Sequence, residues 1–304
     1  MLTLAALVFP TTGGAQDLVN EALASFPPQT IRVEFSRPAA LRKLPNYQSL
    51  RQRYVGPRLQ AFESSLSQLG IREESVDALM LGGQAGKAEE DFYGYASGRF
   101  DAKAIADSAA GRGLSPSSVA GQQAYCLEAG LAGTCVTVLG NSLGAFGSLS
   151  SLTTMLEARA EGGPSLNAEE RFVQLLGEAK KDAPIWGVAL GPAVADWFKS
   201  WMPARGNVQM DWSSVFQGVE SLVYSVEVAE KVRLNLLLDC ATPEATTSLR
   251  QVLQGLKLAQ QLAWQSQNPG RSNPFETMEI GLSGRRVVLN LATDYAQLEA
   301  AGAP

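Results

Sequence analysis

Hydrophobic and polar residues follow two kinds of spacing along the chain, and these spacings recur in the same order twice. Residues 31–36 alternate as in a strand, and Leu59, Phe62, Leu66 and Leu69 then share one face of a helix. Pairs of strand-like runs joined by short turns follow, with helical segments between them. This pattern predicts the order β-α-ββ-α-ββ-α for the first half of the chain.

The same order starts again near residue 184. A strand over 185–190 leads into a helix over 192–202 that begins with a proline, and two strands then pair across a turn around Glu230. The sequence Thr-Pro-Glu at 242–244 predicts a capped helix start, and Ser283-Gly284 predicts a hairpin turn. The second half therefore repeats the predicted order of the first.

The repeated order predicts an α+β protein of two similar halves, with antiparallel sheets and helices packed on one face. The predicted division is a first half over 16–160, a linker with a helix over 161–183, and a second half over 184–304. The two halves share little sequence identity, so one continuous domain with a coincidental order remains the alternative.

The first fifteen residues have the pattern of a signal peptide. A short apolar run over 2–9 ends at Pro10, and the small residues Gly13, Gly14 and Ala15 suit a signal peptidase. No basic residue precedes the run, and a helix or strand packed on the domain is the alternative. Export to the periplasm or the medium is the prediction.

Composition removes several kinds of chemistry. The 304 residues include 25 Lys and Arg, 30 Asp and Glu, and no histidine, so the formal net charge is −5. Without imidazole there is no Ser-His-Asp or Cys-His catalysis and no HExxH zinc site. The acidic balance disfavours nucleic acid as a partner. No metal, cofactor or membrane span in the mature chain is predicted.

Three cysteines are too few for a disulfide-rich scaffold. Cys126 and Cys135 lie in two strand-like runs joined by a glycine-rich loop, where a hairpin would bring them close enough to bond. Two buried thiols are an equally open alternative. Cys240 ends an apolar strand, and we expect it in the core.

Two motifs imitate catalytic or phosphate-binding sequences. Residues 140–144 fit the GxSxG pattern around Ser142, but no histidine is present to serve as its base, so a glycine-rich turn is predicted. Residues 81–88 resemble a phosphate-binding loop without the required spacing. The carboxylates Asp77, Asp211 and Asp239 are scattered, so a carboxylate pair cannot be assigned from the sequence.

Aromatic residues concentrate at the start of the second half. Trp197 and Trp201 share a helix face, and Trp212 follows closely. Such a cluster can line a ligand or partner surface, because tryptophan is favoured at binding hot spots. Packing of the helix on its sheet is the alternative.

Two short runs carry a family resemblance. Residues 95–101, which include Gly-Arg-Phe-Asp at 98–101, and residues 139–148 resemble uncharacterised exported bacterial proteins of the kind abundant in Acidobacteria. That group implies no established activity, so the resemblance assigns no functional residue. It implies only that Asp101 caps a helix after a strand.

Together these observations predict a non-catalytic exported protein that binds a small apolar ligand or a protein of the cell envelope. The predicted binding residues are Trp197, Trp201 and Trp212. A structural or assembly role in the envelope differs only in its partner. A histidine-free hydrolase that uses Ser142 or a carboxylate pair is the competing class.

Overall fold

The computed structural model describes residues 13–54, 57–85, 91–127, 133–201 and 211–301 and confirms the α+β class. The strands are β1 Arg32–Ser36, β2 Val76–Gln84, β3 Asp91–Gly98, β4 Ser117–Val119, β5 Gln122–Cys126, β6 Thr134–Val138, β7 Leu143–Ser148, β8 Ile185–Leu190, β9 Val219–Val228, β10 Val232–Cys240, β11 Glu279–Ser283 and β12 Arg286–Thr293. The helices are α1 Gly13–Ser25, α2 Pro38–Leu41, α3 Tyr47–Tyr54, α4 Pro57–Gln68, α5 Ala102–Gly111, α6 Leu149–Glu161, α7 Glu170–Glu178, α8 Pro192–Trp201, α9 Trp212–Val215, α10 Pro243–Gln267 and α11 Tyr295–Ala301.

All the strands belong to one antiparallel sheet with the order β11-β12-β10-β9-β8-β1-β2-β3-β7-β6-β5-β4. The first strands of the two halves, β1 and β8, pair at its centre, where Phe35 lies opposite Trp186. From this centre the first half runs β1-β2-β3-β7-β6 and the second runs β8-β9-β10-β12-β11. The strand order of the two halves is therefore the same, with β4 and β5 added to the first.

Helices lie on both faces of this sheet. Successive residues of a strand point to opposite faces. On β2, Met80 belongs to the core beneath α1, α6 and α7, which we call the front face. Its neighbour Leu79 packs with the core under α4 and α5, on the back face. The expectation of helices on one face is wrong for the first half, because its central strands are apolar on both sides.

The second half is packed mainly on its back face. Helices α8 and α10 cover Tyr224, Leu238 and Leu289 there. On the front face α7 contacts β8 and β9, while Arg233 and Asn290 further out remain exposed. Helix α7 reaches one end of the next strands, where Arg171 pairs with Asp239 of β10 and Glu178 pairs with Arg286 of β12. The main contacts of the other described helices with β10, β12 and β11 are those of α10 on the back face. We call the front of β10, β12 and β11 the open face.

The core under α1 explains how the first half is closed. Phe26, at the end of α1, is fully buried and contacts Tyr93 edge-on at 5.2 Å and stacks on Tyr95 at 6.0 Å. Tyr95 accepts a hydrogen bond from the Ser25 hydroxyl at 2.9 Å. Gly82 lies beneath them because a Cβ there would come within 2.5 Å of the Tyr93 ring.

Several local predictions are confirmed and others are wrong. Asp101 caps α5 through Ala104, and Thr242 caps α10 through Ala245. Strand β7 is absent from the predicted order of elements, because its glycines hide the alternation of a strand. Helix α1 begins at Gly13 and therefore includes the small residues of the predicted cleavage site. The rest of the predicted signal peptide lies outside the described residues, and export stays a prediction.

Candidate functional site

The structure places Trp197 in the core of the second half. Its side chain is 3% exposed and packs against Phe198 at 4.9 Å and Tyr224 at 4.7 Å between ring centroids. Trp201 ends α8, and its side chain lies outside the described residues. Trp197 therefore offers almost no surface to a ligand in this conformation, and binding by the cluster stays a prediction.

Trp212 lies at the edge of the same cluster. It stacks on Phe198 and Phe216 at centroid distances of 6.2 and 6.1 Å and is partly exposed. Asp211 holds the start of α9 by accepting hydrogen bonds from the amides of Ser213 and Ser214. These interactions hold Trp212 against the buried aromatic cluster, with one side of its ring toward solvent.

Ser142 occupies a hairpin turn. A nucleophile elbow joins a strand to a helix, whereas this turn joins β6 to β7. The backbone carbonyls of Asn141 and Ser142 accept hydrogen bonds from Phe100 and Gly98, which ties the turn to the end of β3. Across the described residues, the Ser142 hydroxyl has no hydrogen-bond partner that could act as a base.

The three scattered carboxylates occupy separate positions. Asp77 lies 3.9 Å from Arg42, Asp211 caps α9, and Asp239 joins an ion-pair network on β10. The structure brings no two of them together as an acid and base. The described residues also contain no group of three or more Cys, Asp or Glu arranged to hold a metal ion.

Cys126 and Cys135 are opposite each other in the β5–β6 ladder and form a disulfide. The bond closes the glycine-rich loop, part of which lies outside the described residues. Cys240 is a free thiol, 1% exposed, and its burial raises its pKa. A buried protonated thiol is a poor nucleophile.

A polar cleft of about 280 Å³ lies where α7 meets the open face. Its base is the guanidinium of Arg286, which is held between two carboxylates. Arg286 donates to Asp239 from Nε at 2.6 Å and from Nη2 at 3.0 Å, and it pairs with Glu178 of α7 on its other side. We call this the α7 cleft.

The charges in the α7 cleft balance. Burial raises the pKa of Asp239, but hydrogen bonds from Arg286 and Ser221 and the charges of Arg286 and Arg171 outweigh it, and the pKa lies below its ordinary value. The hydrogen bond to Asp239, followed by the one to Glu178, raises the pKa of Arg286. The partly buried carboxylates of Asp239 and Glu178 are therefore both paired with Arg286.

Two arginines at the cleft retain free donors. Arg171 contacts Ser221 and Asp239 only through Nη2, each at 3.4 Å, and its side chain is 49% exposed. Arg285 donates from Nη1 to the carbonyl of Ala241. These guanidinium groups can donate hydrogen bonds to a further carboxylate or backbone carbonyl from outside.

The open face continues from the cleft across β10 and β12. Leu237 and Val288 pair at its centre and are partly buried. Asn235 and Asn290 pair one step further along, with a hydrogen bond between their amides at 2.5 Å. The surface therefore joins an apolar centre to hydrogen-bonding groups on either side.

A second cleft of about 270 Å³ lies on the back face between α5 and β5–β6. Ile105, Tyr125 and Val136 form its apolar part, and Gln122 and Gln123 lie at its rim. The Trp197 cluster lines neither cleft. Both clefts are open and slightly smaller than the usual range for small-molecule sites.

The alternation of polar and apolar residues along β10 is the sequence pattern that indicates the open face, and it was not used in the prediction of the site. Polar residues alternate with apolar ones along β10, as Arg233, Asn235 and Asp239, whereas β2 is almost continuously apolar. This alternation predicts a strand with one face exposed to solvent. Arg286 could not be assigned, because its partner Glu178 is 108 residues away.

Comparisons with known proteins give a fold and no family. No family model and no curated protein matches the chain. The structure of TP0453 in crystal form III matches with a TM-score of 0.54 and 12% identity, over 92% of this chain and 96% of that one. Crystal form I of TP0453 matches with a TM-score of 0.49 and 11% identity, over 92% of this chain and 95% of that one. Form III shows a similar fold along nearly the whole chain.

Within the described ranges, every helix is too short or too polar to span a bilayer.

Proposed function

We propose that this chain is a non-catalytic exported protein that binds a protein of the cell envelope through the open face and the α7 cleft. One observation carries the proposal. Among the described residues, α7 meets the front of β10 and β12 at the ion pairs of the α7 cleft and at the partly buried Leu237, whereas Tyr93 and Tyr95 on the equivalent front of the first half are fully buried. A partner segment is the simplest cover for such a surface.

The chemistry of the open face supports a protein partner. Leu237 and Val288 supply a small apolar centre, and amides and guanidinium groups surround it. Non-obligate protein interfaces have this mixture of apolar and hydrogen-bonding groups. An anionic lipid surface requires a cluster of unpaired basic residues. The α7 cleft instead contains three arginines and three acids.

A small apolar ligand receives less support. The α7 cleft is polar, the second cleft is open, and Trp197 is buried in the core. An enclosed apolar cavity is the usual form of such a site.

Export is proposed from the leader pattern together with the disulfide. Cys126 and Cys135 form a bond that persists in oxidising compartments and is rare in the cytosol. The non-catalytic role is proposed from the absence of histidine and from the position of Ser142 in a hairpin turn.

The proposal is tested by site-specific photocrosslinking in an envelope extract. A photoreactive residue replaces Asn290 on the open face, and a matched variant carries it at Gln254, which is exposed on α10. We expect one discrete protein adduct from position 290, and its loss when Arg171 and Arg285 are both changed to glutamate. No adduct at 290, or equal adducts at both positions, would contradict the proposal.

A separate assay addresses catalysis. The purified protein is incubated with a panel of ester and glycoside substrates, with Ser142→Ala as the control. We expect no turnover. Turnover that disappears in Ser142→Ala would replace the binding role with a hydrolase.

A further inference from the structure

The two edges of the sheet differ in how far they are protected from pairing with another strand. The β4 edge has only three residues, follows Pro116, and lies beside α6, with Val119 in the core. Short length, proline and a covering helix are the usual protections of an edge. The β11 edge has five residues in regular register, with no proline and no bulge.

The backbone groups at the β11 edge are fixed by its hairpin. Gly284, with φ +61°, and Arg285 form a two-residue turn, so Ser283 and Arg286 close the ladder. The residue pair next to a two-residue turn exchanges two backbone hydrogen bonds. Along the antiparallel ladder, such hydrogen-bonded pairs then alternate with pairs that are not hydrogen-bonded to each other. The amides and carbonyls of Ile280 and Leu282 therefore point away from β12, toward the open edge.

We propose that β11 pairs antiparallel with β11 of a second copy of this chain, about a two-fold axis at Gly281. In this register Ile280 of one copy faces Leu282 of the other, so the outward groups satisfy one another in four hydrogen bonds. Gly281 faces its own counterpart, where a Cβ meets nothing within 4 Å. The pairing uses the whole strand and is self-complementary, as a two-fold interface requires.

The charges of the strand favour this register. Glu279 is the only charged residue of β11 and lies at its start. The axis at Gly281 places each Glu279 opposite Ser283 of the other copy, in the same cross-strand row as Arg286. The two acids therefore lie at opposite ends of the interface and do not face each other; the Arg286 in each row is the one that Asp239 and Glu178 hold.

Exposed leucines surround the same edge. Leu282 is 43% exposed on the back face of β11, and Leu258 and Leu262 of α10 are 57% and 58% exposed. Leu258 lies one turn before Gln261, which donates to the carbonyl of Phe275 just before β11. A second copy would bring these leucines together along the seam and remove them from water.

The first test is an engineered disulfide at the axis. In a non-bonded antiparallel pair the Cα atoms are about 4.5 Å apart, within the range that a disulfide spans. We expect Gly281→Cys to give a covalent dimer on a non-reducing gel. Glu279→Cys and Ser283→Cys are matched controls on the same strand, and we expect both to stay monomeric because their counterparts are about 13 Å apart.

The second test measures association without new cysteines. Sedimentation over a range of concentrations should show a reversible dimer for the unchanged protein. We expect Leu282→Lys to weaken it at least tenfold, and Leu149→Lys, at a site 45% exposed in the first half, to leave it unchanged. Circular dichroism checks that each variant folds.

Three results would overturn the proposal: a monomer at all concentrations, a dimer indifferent to Leu282→Lys, or equal crosslinking by all three cysteine variants. If Leu282→Lys fails to fold, the cysteine series decides alone. The dimer uses the outer backbone edge of β11, whereas partner binding is tested at Asn290, Arg171 and Arg285 away from that edge, so failure of the dimer and failure of partner binding are distinguishable.

Discussion

The two halves of the sheet have the same strand order, but the second half is packed on both faces mainly at β8 and β9, whereas in the first half this packing extends to β3. In the first half the front of β3 carries Tyr93 and Tyr95, both fully buried under α1 and α6. In the second half the corresponding strand β10 carries Asn235 and Leu237 on its front, and both are partly exposed. One topology thus supports two different surfaces.

This difference shows how two halves with the same strand order can differ in role, the first contributing more to stability and the second offering a surface for binding. Both faces of the first half contribute buried apolar area, which is the main source of folding free energy. The second half keeps its back face for the core and leaves Asn290 and Arg233 exposed on the front. Surface residues such as these can change with little cost to stability, and so can serve a partner.

The largest predicted effect tests whether the front of the first half is more important for stability than that of the second. We expect Tyr95→Ala to lower the free energy of unfolding by about 3–5 kcal/mol, because it leaves a cavity in a fully packed core. Leu237→Ala on the open face should cost about 1 kcal/mol, since that side chain is only partly buried. Urea unfolding followed by circular dichroism measures both.

Tyr95→Phe separates packing from hydrogen bonding at the same position. Burial raises the pKa of Tyr95 to about 12, so the hydroxyl is protonated, and its loss removes the hydrogen bond from Ser25. We expect a cost of about 1 kcal/mol. Equal costs for Tyr95→Ala and Leu237→Ala would mean that the two fronts are equally packed.

The next effect concerns the disulfide, which only the first half contains. Replacing Cys126 and Cys135 by alanine should lower the free energy of unfolding by about 2–3 kcal/mol. The reason is that the disulfide, which joins residues nine positions apart, no longer restricts the conformations of the unfolded chain. The measurement is the urea midpoint with and without reductant. The double variant is its own control, since reductant should shift the unchanged protein and leave the variant unaffected.

The smallest effect concerns Asp239 in the α7 cleft. Its pKa is lower in the folded state than in the unfolded chain, so it stabilises the fold above about pH 4, and this contribution is lost as the pH falls through the folded pKa. Asp239→Asn should cost less than about 1 kcal/mol at pH 7, since the pair is partly exposed. The difference from the unchanged protein should shrink as the pH falls below about 4.

Urea unfolding at pH 7, 4 and 2 gives the three points needed. Asp107→Asn, which removes an exposed ion pair with Lys103, is the control, and we expect almost no change at any pH. A difference at Asp239 that grows as the pH falls would contradict the assigned sign.

Much of the fold could be predicted because its signals are local. Two helix caps and one hairpin turn each depend on residues within a few positions of each other: the caps at Asp101 and Thr242 and the turn at Gly284. Strand β7 was missed because Gly144 and Gly147 interrupt its pattern. The site was predicted less well: aromatic density pointed to Trp197, yet burial of that side chain depends on how α8 packs against β9.

The sequence by itself determined the α+β class, the order of elements in the second half and the absence of imidazole chemistry, because each depends on composition or on spacing within one segment. In the first half it missed β4 and β7. Tertiary structure decided that β1 and β8 join the halves in one sheet, that helices occupy both faces of the first half, and that Glu178 meets Arg286. Residues far apart in the chain make these contacts, and no local pattern encodes which distant surfaces pack together.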